Sequence, residues 1–170
     1  MGKTTEIRAM RADDLVAVLE IQSCCYDAAK LESRESFLAK LEASPATCFI
    51  ATVAGVSVGY LVAIPAEEGS PPSLNEPTFV PPPAANALYL HDLAVHPRAR
   101  GSGAAAALVA AYFHTLKQSQ ARFGCLTAVN QSSTYWERHG FRSTAVANAE
   151  AGCMDTYGEG AQYMSLRVSV

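Results

Sequence analysis

Acidic side chains are missing between Asp92 and Glu137, a stretch that nevertheless carries Arg98, Arg100, Lys117 and Arg122. In a chain of 170 residues with a formal net charge of −3, that gap is either chance or a local excess of positive charge suited to an anionic ligand. The overall acidity argues against broad affinity for nucleic acid. Also lacking is any apolar run long enough to span a bilayer, so no membrane partner is expected. The start, MGKTTEIRAM, has neither the apolar core of a signal peptide nor the Arg-rich face of a transit segment. A myristoylation signal beginning at Gly2 fails because Glu6 stands where Ser or Thr is needed. The five cysteines, Cys24, Cys25, Cys48, Cys125 and Cys153, include no CxxC pair. That excludes a disulfide frame and a zinc site, and implies reduced thiols in a cytoplasmic protein without metal.

The residues that are present read as one domain over positions 1–170. TEIRAM alternates as a short strand. RADDLVAVLEIQSCCYDAA reads as a helix capped by Asp13 or Asp14, with Leu15, Val18, Leu19 and Cys25 at helical spacing. Ser33 is placed to cap a second helix, RESFLAKLEA, which Pro45 ends. TCFIATVAGVSVGYLVAI gives two strands turning at Ala54-Gly55. Seven of the nine prolines (Pro65, Pro71, Pro72, Pro77, Pro81, Pro82 and Pro83) fall within positions 65–85, which predicts an inserted surface loop rather than helix or central strand. NALYLHDLAV is a strand, AAAALVAAYFHTLKQSQ a helix, FGCLTAV a strand and SSTYWERH a short helix ended by Gly140. Phe141 opens another strand, and AQYMSLRVSV is the last. Ser132 or Ser133 is placed to cap the short helix. This order predicts an α/β (α+β) fold, a twisted mixed sheet covered by helices on both faces.

VHPRARGSGAAAALV puts a glycine pair directly before a helix. A P-loop is excluded, because no Lys-Ser/Thr follows the second glycine. A dinucleotide fingerprint fits the glycine spacing. It fails on the four residues after the strand and on the missing acid about 20 residues on. There remain a plain strand-to-helix turn and an anion site. In the anion site the N–H groups of residues 100–104, including Arg100, Ser102 and Ala104, converge on a diphosphate, aided by the helix dipole.

LYLHDLAVHPRARGSGAAAALV resembles the acetyl-coenzyme A segment of the GNAT superfamily of N-acetyltransferases, whose Arg/Gln-x-x-Gly-x-Gly/Ala pattern is met by Arg98, Gly101 and Gly103. AVNQSSTYWERHGF is similar to the family's second segment, and the order of elements fits over nearly the whole chain. The resemblance implies a single-domain GNAT-like fold, mostly antiparallel with a splayed central parallel strand pair, and acetyl-coenzyme A as cosubstrate. It further implies that the main chain of Leu93 to Val95 aligns the pantetheine arm. An N–H near Leu93 or Ala94 would polarise the thioester carbonyl, and Asn130 would touch the pantetheine. Dimerisation is common in such proteins, and no interface is legible here.

Acetyl transfer to an amine needs a base, and His91 is the candidate, since imidazole titrates near working pH. The resemblance points the same way: a histidine two places before Leu-Ala-Val serves as a proposed base in serotonin N-acetyltransferase. Alternation would set Tyr89, His91, Leu93 and Val95 on one face and Asp92 on the other. Asp92 and Tyr89 are expected to orient substrate, and His91 has a purely structural alternative. The general acid departs from the family pattern: Trp136 stands where a tyrosine is usual, and indole cannot give up a proton. Tyr135 is a candidate donor, but it stands about 100° round the helix from Trp136 and is expected rather to pack in the core. Tyr157 is another candidate donor, and a thiolate can also leave unaided. The expected activity is acetylation of a small amine. The alternatives are a protein N-terminal or lysine acetyltransferase, and a non-catalytic acyl-coenzyme A binding module.

Overall fold

The computed structural model describes residues 4–147 and 151–169. Its strands are β1 (Thr5–Ala9), β2 (Cys48–Val53), β3 (Val56–Ala66), β4 (Ala87–Val95), β5 (Phe123–Ala128), β6 (Arg142–Ser143) and β7 (Gln162–Arg167). The α-helices are α1 (Leu15–Cys25), α2 (Arg34–Ala43), α3 (Ala104–Gln118), α4 (Ser133–Arg138) and α5 (Ala151–Asp155). All the strands join one sheet in the order β1-β2-β3-β4-β5-β7-β6. Only β4 and β5 are parallel neighbours; the other pairs are antiparallel. Val170, the end of the expected last strand, lies outside the described residues. Among the described residues no helix is long and apolar enough to cross a membrane.

Alternation along the strands builds a core on each face. On one, Leu15, Val18 and Ile21 of α1 and Phe37 of α2 cover Ile50, Tyr60, Val62 and Tyr89. On the other, Leu108, Val109, Tyr112 and Leu116, at helical spacing on α3, cover Leu61, Ala63, Leu88 and Leu126. Each such aliphatic side chain contributes roughly 1.5–3 kcal/mol through burial. Tyr112 spans to the sheet, its hydroxyl donating to the Leu88 carbonyl at 2.8 Å. That approach requires glycine at position 124, where a Cβ would stand 2.8 Å from the same hydroxyl.

The hairpin turns at Ala54-Gly55, both with positive φ, and Ser33 caps α2 by accepting the Ser36 N–H. Several expectations need correction. Neither Asp13 nor Asp14 caps α1 with its side chain. Asp14 instead takes the Arg11 N–H at 2.8 Å and pairs with Arg8, which fixes the turn before the helix. The helix stops at Cys25 and Tyr26 is extended, which turns its ring inward rather than continuing the helix. Pro65 belongs to β3, paired with Leu88. Asn86 donates to the Ala66 carbonyl, so the main chain of Pro65 faces the opposite edge, where β2 has already ended at Cys48↔Val62. The missing N–H of proline therefore breaks no ladder bond. Ser132 precedes α4 without making a side-chain cap, and α5 has no counterpart in the sequence reading.

Candidate active site

β4 and β5 pair from Ala87↔Phe123 to Leu90↔Leu126 and then part. At the parting point β4 holds one residue too many. Asp92 pairs with Val62 and Leu90 with Ala63, leaving His91 as a bulge. This cancels the expected alternation. Asp92 lies opposite Val62, and Ala94 joins the core under α1 and α2 along with Tyr89; Leu93 and Val95 pack on the α3 side. His91 and Asp92 thus serve the same face, and both line a cavity of about 310 Å³ at the splay.

His91 is buried. Its Nε2 lies 2.6 Å from Oε1 of Glu32, and its Nδ1 has no hydrogen-bond partner among the described residues. The other Glu32 oxygen accepts from Ser36 Oγ at 2.8 Å, from Lys40 Nζ at 3.2 Å and from the Asn75 N–H at 2.9 Å. Burial alone would raise the Glu32 carboxyl; the charge and hydrogen bond of His91, with Lys40, outweigh it and hold Glu32 well below the usual range. With Nε2 committed to Glu32, Nδ1 is the ring nitrogen not engaged by the described residues. Asp92 accepts from the Tyr26 hydroxyl at 2.9 Å and the Tyr60 hydroxyl at 2.7 Å. Burial, then the Glu32 charge, push its carboxyl up to about 6 against those two donors. Burial and the Asp92 charge raise Tyr26 and Tyr60, so both remain donors at neutral pH. Glu32 and Tyr26 were missed in the sequence, for they sit in irregular chain between α1 and α2 with no motif around them.

The remaining aromatic candidates separate. Tyr89 does not reach the cavity: its hydroxyl is buried, 2.7 Å from Thr127 Oγ1, and donates to Tyr157 at 2.9 Å. It props the wall and does not orient substrate. Tyr157 lines the cavity, but its hydroxyl donates to the Pro72 carbonyl, so that proton straps the proline-rich loop to the sheet. Tyr135 is not in the core. It is 38% exposed and lines the cavity, while Trp136 is 7% exposed and packs on Phe141 at a ring distance of 5.9 Å. Both rings reach the cavity, but α4 is rotated so that the indole is mostly buried in the core and the phenol, one residue earlier, takes the open side.

The open edge is main chain. His96 donates to the Val58 carbonyl at 2.7 Å, so Ala94 also faces β3, and the groups of Leu93 and Val95 point into the splay. The Leu93 carbonyl lies 2.7 Å from the Tyr26 hydroxyl, which shares its one proton between this oxygen and Asp92, and the Val95 carbonyl accepts from Cys25 Sγ at 3.2 Å, which leaves the N–H groups for a ligand. Asn130 lines the same cavity with φ +53°. In the glycine turn the amides do not all converge. Arg100 donates to Pro97, Ser102 to Ala99 and Ala104 to Ser102 Oγ. The N–H groups of Gly101, Gly103, Ala105 and Ala106 have no partner among the described residues. Positive φ at Gly101 and Gly103 makes this turn, with open space where each Cβ would be. Arg98 leans on the Ser57 carbonyl at 3.4 Å and lies 3.9 Å from Glu20, whereas Arg100 is exposed beside the turn.

Comparison with curated proteins finds no match. Among solved structures the chain is similar to Ard1 from Thermoplasma volcanium, with TM-score 0.73 and 19% identity over 98% of this chain and 99% of that one. It is similar to the diaminobutyrate acetyltransferase EctA from Paenibacillus lautus, solved with coenzyme A, with TM-score 0.67 and 20% identity over 98% and 96%. It is also similar to the ribosomal-protein-S18-alanine N-acetyltransferase from Escherichia coli, with TM-score 0.65 and 15% identity over 98% and 96%. At such identities these likenesses establish the fold. A family model goes further: that of the acetyltransferase (GNAT) family matches residues 15–141. The splayed strand pair, the open edge of β4 and the glycine turn all lie within that match, and the chain belongs to the acetyltransferase (GNAT) family of acyltransferases.

Proposed function

We propose that this enzyme transfers the acetyl group of acetyl-coenzyme A to the amine of a small molecule. The observation that carries the reading is a pair of unsatisfied main-chain surfaces at the two ends of one turn. The N–H groups of Leu93 and Val95 lie on the open edge of β4, and after the turn at 96–100 come those of Gly101, Gly103, Ala105 and Ala106 at the start of α3. A pantetheine arm fits the first and a diphosphate the second, with Arg100 beside it. Acetyl-coenzyme A supplies the activated thioester. The residues of this chain supply orientation and proton handling.

Asp92, on the face set by the bulge, receives the ammonium of the acceptor. His91 takes the amine proton on Nδ1, and Glu32 steadies the resulting imidazolium through Nε2. The Leu93 N–H, not that of Ala94, faces the place where negative charge grows on the thioester oxygen. Tyr135 is the hydroxyl free to protonate the departing thiolate. The cavity of about 310 Å³, with Leu74 of the strapped proline-rich loop in its wall, favours a small acceptor over a protein chain.

The test is incubation with acetyl-coenzyme A and a panel of amines, following free thiol. Amine-dependent thiol release is expected. Tight cofactor binding with no release from any amine, small or peptidic, would overturn the reading in favour of a binding module.

A further inference from the structure

The charges lining the cavity are unequal in how they are spent. Glu32 is already matched inside the wall by Lys40, with both side chains 1% exposed. Asp92 and Lys30 are not so matched. Lys30 ends the short turn before α2, and its side chain is only 18% exposed. Its nearest carboxylate is Asp27, 3.6 Å away and 85% exposed, which is too solvated to compensate much. The ammonium is held from the other side by the turn after Tyr157, where a Cβ on Gly158 would stand 3.9 Å from Nζ. A largely buried lysine with only a solvated partner is costly unless something else in the cavity supplies negative charge.

Lys30 stands on the acceptor side. It comes with Tyr26 and Glu32 from the connection between α1 and α2, which lines the same cavity as Asp92 and His91. A simple amine would satisfy Asp92 and leave Lys30 unmatched. A zwitterion satisfies both.

We infer that the acceptor is an amino acid or a close analogue, a small molecule that places its amine on Asp92 and its carboxylate on Lys30. This rests on the acyl-transfer reading and names the acceptor class for it. The acceptor nitrogen forms a bond to the acetyl carbon as the carbon–sulfur bond breaks. The ammonium first gives one proton to His91, which releases it to water, and the nitrogen gives a second by the same route as the amide forms; the thiolate gains one from Tyr135, which water reprotonates, and the carboxylate is unchanged.

The experiment compares matched pairs that differ by the carboxylate: L-lysine with cadaverine, L-ornithine with putrescine, and L-alanine with ethylamine. Thiol release from acetyl-coenzyme A is followed, and the same compounds are titrated calorimetrically into the full chain saturated with coenzyme A. The inference expects kcat/KM at least tenfold higher for the amino acid of one or more pairs. It also expects Lys30→Met to collapse that ratio toward one mainly through KM. Equal or better use of every decarboxylated amine, or a ratio indifferent to Lys30→Met, overturns it. Carboxylate-dependent binding that Lys30→Met removes, without turnover of any acceptor, would uphold the ligand class while refuting acetyl transfer. Neither binding nor turnover of any amino acid refutes the class outright.

Discussion

Nε2 of His91 stands 2.6 Å from Oε1 of Glu32, and neither side chain has meaningful contact with solvent. The carboxylate is shared: Lys40, Ser36 and the main chain of Asn75 hold its other oxygen. One buried acid therefore fixes the imidazole, neutralises a buried lysine and anchors the proline-rich loop. Removing the charge touches all three.

Glu32→Gln should destabilise the protein by about 3–5 kcal/mol, since it leaves the Lys40 ammonium buried without a counter-charge. The pH dependence has a definite sign. The folded-state Glu32 titrates below its unfolded value, so its contribution is full above about pH 4.3 and fades as pH falls. Urea unfolding between pH 3 and pH 8 should show an acid limb in the parent that is blunted in the variant. The amide oxygen of Gln can still accept the Nε2–H. Turnover should accordingly fall less than in His91→Ala, which forfeits the roughly 10²–10⁴-fold worth of a general base.

Asp92→Asn should do the opposite to stability. The folded Asp92 titrates at about 6, above its unfolded value, so ionising it within the fold is a cost incurred between about pH 4 and pH 6 and carried above that range. Near neutral pH the variant should be more stable by about 1–3 kcal/mol, given roughly 1.4 kcal/mol per pKa unit. Below about pH 4 the two proteins should melt together, because both then carry an uncharged group there. Acetyl transfer should weaken at the same time through KM, since the ammonium loses its counter-ion. A variant melting lower at pH 7.5 would show that Tyr26 and Tyr60 require the charged carboxylate.

Tyr135→Phe and Trp136→Phe should separate cleanly. Tyr135 faces the cavity, so loss of its hydroxyl should lower kcat about tenfold or more and alter the alkaline limb of the rate profile, with thermal stability nearly unchanged. Trp136 is core, wedged beside Phe141. Trimming it should lower the melting temperature by several degrees, through a loss of about 1–3 kcal/mol. An unchanged pH profile in Tyr135→Phe would mean that the thiolate leaves without help from this chain.

The fold was largely legible. Ser33 capped its helix, Ala54-Gly55 made its hairpin, and α3 formed within AAAALVAAYFHTLKQSQ as expected. Those features are local, and local chemistry is what a sequence writes plainly. What escaped depends on pairing between distant segments. The bulge at His91 arises from the register of β4 against β3, and neither His nor Asp announces it as a glycine might. Once the alternation slips, Asp92 moves to the cavity face. Glu32 and Lys40, eight positions apart, meet because Lys40 lies one turn beyond Ser36 on α2 and folds back over the helix start. The rotation of α4 was misjudged for a related reason: a stretch with Tyr and Trp adjacent does not say which ring is core.

Gly103→Ala tests the surface on which the cofactor reading stands. The residue has φ +84°, so a methyl group there costs roughly 1–2 kcal/mol in backbone strain. No protein atom lies within 4 Å of that methyl, so no steric clash within the fold adds to it. The space it enters is the space a diphosphate must enter to reach the unpartnered N–H groups on either side. Calorimetry should therefore show coenzyme A binding weakened at least tenfold. Pantetheine, which has no diphosphate and engages only the open edge of β4, should bind the variant and the parent alike. Arg100→Ala should also weaken coenzyme A, and the loss should shrink at high salt because the guanidinium is exposed. If pantetheine suffers as much as coenzyme A in Gly103→Ala, the turn has merely been distorted. If neither suffers, the diphosphate lies elsewhere.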